Sequence, residues 1–340
     1  MVYLDSAAAK KPKFFAKDYY YFWGNPNSQH FFGAEAREKL DEARERIKLA
    51  LGVKNGIVVF GRSSTEIART IGKKISCYED YDVSPFEHDA VTNNNLFYVR
   101  PEEVDENSSY FCQYVNNITG AIFDIEKIGS KTKNGFFVSD FTSAIGRVEI
   151  PPNLEDFCDS VFFSGRKICA EGMAAAWLSD SLYHEIKDDS GSQNEYGILP
   201  GTMNVGGAIA LSYAIEDSVK HCKNRIGYYN MLYDRMVKGF SSIGFENISR
   251  HENYRMCRSI NAVTLNGVDA DSLCRFLSSK GVCVSHGYSA CSTEPDYRAL
   301  RNFGYNDKEC METIRVSFDE DTKVEHIDYL VSCVKKYIDI

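Results

Sequence analysis

At 340 residues the chain is long enough for two domains, or for one large domain with a smaller one appended. Its net charge of -9 argues against nucleic acid as the main partner. No apolar run approaches the roughly 20 residues that span a bilayer, and the start MVYLDSAAAKKPKFF lacks the basic opening and apolar core of a signal peptide, so no membrane attachment and a cytoplasmic protein are expected.

The first elements are short. Val2–Ala7 reads as a strand entering a loop, and Gly24–His30 as a turn-rich loop in which His30 is a candidate polar contact. Gly33–Leu51 has helical spacing of Ala36, Leu40, Ala43, Ile47 and Leu51, with Gly52 placed to cap its end. Ile57–Phe60 is a strand, followed by Gly61-Arg62-Ser63-Ser64-Thr65-Glu66 at the start of a helix. Ser63 and Glu66 have capping-box spacing. The same geometry, with hydroxyls on Ser64 and Thr65, makes a phosphate cradle. Next come Asp82–Val91, which carries His88, and a strand Tyr110–Val115 that ends in Asn116-Asn117-Ile118-Thr119-Gly120.

The stretch Gly135–Gly172 organises the chain. Two apolar runs, Gly135–Val138 and Ser160–Phe163, read as buried parallel strands; the first leads to Asp140, the second to Ser164-Gly165-Arg166-Lys167. Strand ends of an open α/β sheet are where ligands sit. A lysine and an acid there suit pyridoxal 5′-phosphate: the amine holds the aldehyde as an imine, and the carboxylate partners the ring nitrogen.

Ala174–Leu178 is a small-residue strand, and Gly201-Thr202 lies in a loop before a long helical region, about 208–240. A smaller α+β region follows: strand 259–265, helix 269–280, strand 282–285, then strand 313–318 and a last helix for which Thr322 and Glu325 have capping-box spacing. Arg315 lies in that late strand, where its planar fork suits a carboxylate. The eleven cysteines are odd in number and scattered, with no Cys/His spacing for zinc or an iron–sulfur cluster. Ten read mostly as small buried hydrophobes. Cys291 stands apart in the polar, turn-forming run Gly287-Tyr288-Ser289-Ala290-Cys291-Ser292-Thr293-Glu294-Pro295, with His286 close by in sequence. A reactive thiolate needs such an exposed setting.

Taken together, these segments resemble the class V aminotransferase family, and within it the cysteine desulfurases, over nearly the whole chain. The resemblance implies an α/β, fold-type I pyridoxal phosphate enzyme, with a doubly wound, mainly parallel sheet in a large domain (13–225). A smaller α+β domain comprises 226–340 with the segment 1–12. Carried over residue by residue, Lys167 binds the cofactor and, with His88 and Cys291, does the chemistry. Asp140, His88, Asn117, Ser64, Thr65, Ser143, Ser164, Arg166 and Thr202 surround the cofactor. Arg315, Asn117 and His30 meet the substrate. Thr202 reaching a neighbouring subunit's phosphate implies a homodimer, and Cys291 implies L-cysteine as substrate, a persulfide, and a sulfur-acceptor protein of the kind that serves iron–sulfur cluster assembly. The chain departs from the pattern at Ser63 and Ser64 (for Gly and Ala), Ile118 (Glu), Ser143 (Gln), Arg166 (His) and Leu199 (Arg). Those departures keep open another class V reaction, such as a cysteine C–S lyase, an aminotransferase or a selenocysteine lyase, and a cofactor-binding relative without turnover.

Overall fold

The computed structural model describes residues 1–92, 97–187, 194–248, 253–288 and 295–339. The chain forms two compact units: Lys11–Tyr114 with Asp124–Cys222, and Met1–Lys10 with Val115–Phe123 and Lys223–Ile340. The segment Val115–Phe123, which the sequence partition left in the larger domain, clusters with the smaller unit. Among the described residues no helix is long and apolar enough to cross a membrane.

The larger unit is built on a seven-stranded sheet in the order Ile57–Gly61, Ala174–Leu178, Ser160–Ser164, Phe137–Asp140, Ser109–Gln113, Tyr81–Val83, Phe97–Tyr98. Only Ala174–Leu178 runs antiparallel to its neighbours; the remaining pairs are parallel. The central strands are buried on both faces, as a parallel sheet covered by helices requires. Helix Ser64–Ile75 lays Ile67, Ala68, Ile71 and Ile75 into one core with Val59, Phe162, Ala174 and Ala176. At about 25 cal/mol per Å² of buried apolar surface, such a helix face is worth several kcal/mol. Helix Phe31–Leu51 ends at Gly52 with φ 73°, the left-handed cap that the sequence predicts.

The smaller unit has a three-stranded antiparallel sheet, Ile260–Thr264, Thr313–Ser317 and Ser285–His286, with Thr313–Ser317 in the middle. Helices Ala270–Ser279 and Val324–Ile338 contribute Leu273, Leu277, Ile327, Leu330 and Val334 to one core with Val263, Ile314 and Val316. Val2–Tyr3 pairs in parallel with Val282–Cys283, and Asp5 bridges to Ser317.

Three local expectations change. The long helical region is two helices, Val205–Lys220 and Cys222–Ser241, because His221 leaves helical geometry (φ -98°, ψ 3°). The last helix starts at a Lys323 cap, with Nδ1 of His326 accepting from the Lys323 amide, rather than at Thr322. Thr322 Oγ1 is engaged by Asp319, donating to its carboxylate at 2.9 Å and accepting from its amide at 3.0 Å. Finally, Cys77 is exposed and Cys274 and Cys283 are half-buried, while Cys112, Cys158, Cys169, Cys222, Cys257, Cys310 and Cys333 are buried.

Candidate active site

In the larger unit, Asp140, Ser164, Gly61 and the segment after Val83 all stand at carboxyl ends on one edge of the sheet. Asp140 and the lysine turn follow adjacent parallel strands, with Asp140 paired to Phe162. Asp140 is 7% exposed, and its Oδ1 accepts from the Thr142 amide at 2.6 Å. Burial pushes its carboxyl up to about 6, against the Thr142 hydrogen bonds and the charge of Lys167, which pull it down. A buried carboxyl of this kind fits a cationic ring nitrogen, which would favour its ionised form.

The lysine turn is tightly specified. Lys167 ends a short 3-10 turn, Gly165–Lys167, and is half-buried. A Cβ on Gly165 would lie 2.9 Å from the Met173 carbonyl oxygen, 3.0 Å from Ala170 Cβ and 3.0 Å from Leu211 Cδ1, so only glycine passes here. Cys169, two residues on, holds φ 65°, an uncommon conformation for a non-glycine residue. Its carbonyl accepts from the amides of Lys13 (2.7 Å) and Phe14 (3.0 Å), which clamps the turn.

The candidate phosphate cradle is the start of helix Ser64–Ile75. Ser63 caps it, its Oγ accepting from the Glu66 amide at 3.1 Å. Glu66 does not close the box on Ser63; it accepts from the Arg62 amide at 2.8 Å and pairs with the Arg62 guanidinium. Ser64 and Thr65 lie in the first turn, where a helix leaves amides without an intrahelical acceptor. A Cβ on Gly61 would lie 2.7 Å from Ile67 Cγ1, so glycine is what brings the strand end this close to the helix. The buried acid, adjacent lysine and helix start together fit pyridoxal phosphate.

His88 is half-buried, and its Nδ1 accepts from the Ala90 amide at 3.0 Å, which puts the proton of the neutral ring on Nε2. Ser143 and Ser164 are buried, Arg166 and Thr202 exposed. His30 is exposed, and its Nδ1 accepts from Gly33 to cap helix Phe31–Leu51. Leu199, where the family pattern has arginine, belongs to the apolar core.

In the smaller unit, Arg315 is 3% exposed. Its Nη2 donates to Asp5 Oδ1 at 2.8 Å and its Nη1 to the Asn117 carbonyl at 3.0 Å. Asn116 makes the turn: its Oδ1 accepts from the amides of Ile118 (3.0 Å) and Thr119 (2.8 Å). Ile118 packs with Ala262, Leu300 and Cys310, which accounts for an apolar residue where the family has glutamate. His286 Nδ1 is 2.8 Å from Asp271 Oδ1, and its ring stacks on Tyr288. Cys291 lies outside the described residues. Asp5 is the residue that sequence reasoning missed: it stands in the quoted opening Tyr3-Leu4-Asp5, yet a pairing across 310 positions leaves no local signature.

The aminotransferase class-V family profile matches residues 99–330, and the chain belongs to that family. It is a pyridoxal phosphate enzyme of the fold-type I architecture, with pyridoxal 5′-phosphate as cofactor. It is similar to "Cysteine desulfurase IscS" of Mannheimia succiniciproducens, 26% identical over 98% of this chain and 89% of that protein. It is likewise similar to "Cysteine desulfurase 2" of Trichormus variabilis, 27% identical over 80% of this chain and 75% of that one. A solved structure described as a NifS-like protein shares the fold, with a TM-score of 0.85 at 22% identity over 99% of both chains.

Proposed function

We propose that this protein is a cysteine desulfurase-like enzyme that converts L-cysteine to L-alanine and takes the sulfur onto Cys291 as a persulfide. What carries the reading is the coincidence of Lys167 and Asp140 at neighbouring strand ends with a Ser289-Ala290-Cys291 run, in a chain whose long-range relatives bear desulfurase names.

When bound, pyridoxal phosphate supplies an electron sink for the pair released at the substrate Cα. Arg315 holds the substrate carboxylate through a planar, charge-assisted contact. Asn117 lies beside it, its carbonyl already bonded to the same guanidinium. Lys167 Nζ would take the proton from the substrate Cα, and His88 Nε2 would hold or return a proton nearby. Asp140 would partner the ring nitrogen with its carboxylate, and Ser64, Thr65, Ser143, Ser164 and Arg166 would hold the remaining polar groups of the cofactor. The Cys291 thiolate then attacks the substrate sulfur. The S–S bond forms as the C–S bond breaks, the electron pair passes to the substrate carbon, and protonation there yields alanine. Thr202, exposed in the single chain, reaches the site of a second copy in a homodimer. A sulfur-acceptor protein consumes the persulfide.

The test is a product balance from L-cysteine with the cofactor-loaded protein and a reductant. Alanine and sulfide in equal amounts support the reading, and Cys291→Ala should then stop alanine formation. Pyruvate with ammonia, or keto-acid-dependent transamination, would replace it with a lyase or an aminotransferase.

A further inference from the structure

We propose that Asp5 is the positioning residue of Arg315, and that the amino-terminal segment Val2–Lys10 serves the fold by delivering it. The proposal rests on Arg315 as the carboxylate-binding residue. A guanidinium that is 97% covered needs a compensating charge, because a buried unpaired cation is strongly unfavourable. Asp5 supplies it through one oxygen on Nη2, at 2.8 Å, and the Asn117 carbonyl takes Nη1 at 3.0 Å. Two acceptors on two nitrogens set both the plane and the rotation of the fork. The third nitrogen, Nε, is buried and has no acceptor among the described residues. A purely structural ion pair would satisfy that donor, since buried polar groups are almost always hydrogen-bonded. An Nε–H left over on an otherwise fixed guanidinium leaves one donor of the fork uncommitted.

The segment carrying Asp5 is fastened on both sides of it to the strand that carries Arg315. Leu4, fully buried, accepts through its carbonyl from the Ser317 amide at 2.8 Å. The Ala7 amide donates to Ser317 Oγ at 2.9 Å, and Ser6 Oγ donates to the Phe318 carbonyl. Val2–Tyr3 pairs with Val282–Cys283, and Lys10 is buried against Glu320 at 2.8 Å. Nine residues with this many anchors hold one carboxylate in one place, which is what a positioning role demands.

The experiment is calorimetric titration of the cofactor-loaded protein with L-alanine, and with cysteamine as an amine lacking the carboxylate. Asp5→Ala should weaken L-alanine by about tenfold or more and leave cysteamine unchanged. If Asp5→Ala does not fold, Asp5→Glu keeps the charge but displaces it by a methylene and should weaken L-alanine by at least about threefold with an unchanged melting temperature. L-Alanine binding as tight as the parent's in whichever of these two variants folds overturns the proposal, and so does an equal loss for cysteamine. Arg315→Lys separates the two levels. If it leaves L-alanine binding intact, Arg315 is not the carboxylate residue and the underlying reading fails; if it weakens binding while the Asp5 variants do not, only the Asp5 proposal fails.

Discussion

Asp140 ends one strand and Lys167 the turn after the next, the two parallel strands being joined by a loop with one 3-10 turn, Leu154–Asp156. Arg315 in the smaller unit is placed by partners 310 and 198 positions away in sequence. The first arrangement depends on a tight turn and a buried strand end, the second on distant segments meeting. Damage to the first should therefore act through turn geometry and protonation, damage to the second through packing.

The sharpest contrast comes from Lys167→Ala. It removes the amine that the chemistry needs, so turnover of L-cysteine should fall by about 10³-fold or more while the melting temperature of the cofactor-free protein stays near the parent's. On the other side, Ile118→Glu restores the family residue but puts a carboxylate into the cluster of Ala262, Leu300 and Cys310. It should cost about 3 kcal/mol or more by denaturant unfolding, and an unchanged midpoint would show that the turn tolerates charge. Gly165→Ala drives a methyl against Met173, Ala170 and Leu211. A loss of about 1–3 kcal/mol with reduced cofactor loading is expected, and full loading would mean that the lysine turn is softer than its contacts require.

Asp140 gives a smaller, pH-dependent effect. Its folded carboxyl lies near 6, above the usual range, so protonation favours the folded cofactor-free protein. That contribution is complete below about pH 4 and is lost as the pH rises through 6. Asp140→Asn should therefore raise stability at pH 8 by about 2 kcal/mol, with no gain below pH 4, while weakening cofactor retention. A stability gain equal at both pH values would rule out burial of the charge as its cause. The smallest effect belongs to Arg62→Ala: the Arg62–Glu66 pair is at the surface, and its removal should leave the melting curve unchanged.

Much of the larger unit is readable from local pattern. Apolar runs of strand length, Gly61 and Gly165 at the helix start and the lysine turn, and hydroxyls at a helix start are written within a few residues of the groups that they position. The left-handed Gly52 cap is of the same kind. The start of the last helix is not, because Thr322 has the right spacing for a cap but is engaged by Asp319. Nor is the replacement at Ile118 intelligible until its apolar neighbours from three other segments are known.

Sequence alone determined the fold class, the family and the order of the candidate cofactor residues, because hydrophobic period, turn chemistry and motif spacing are short-range properties. The tertiary structure decided that Val115–Phe123 joins the smaller unit and that Asp5 meets Arg315. It also decided that the Asp140 carboxyl is raised while the Arg315 charge is compensated. Those outcomes depend on burial and on which distant charge closes the pair, and both arise only when the chain has folded.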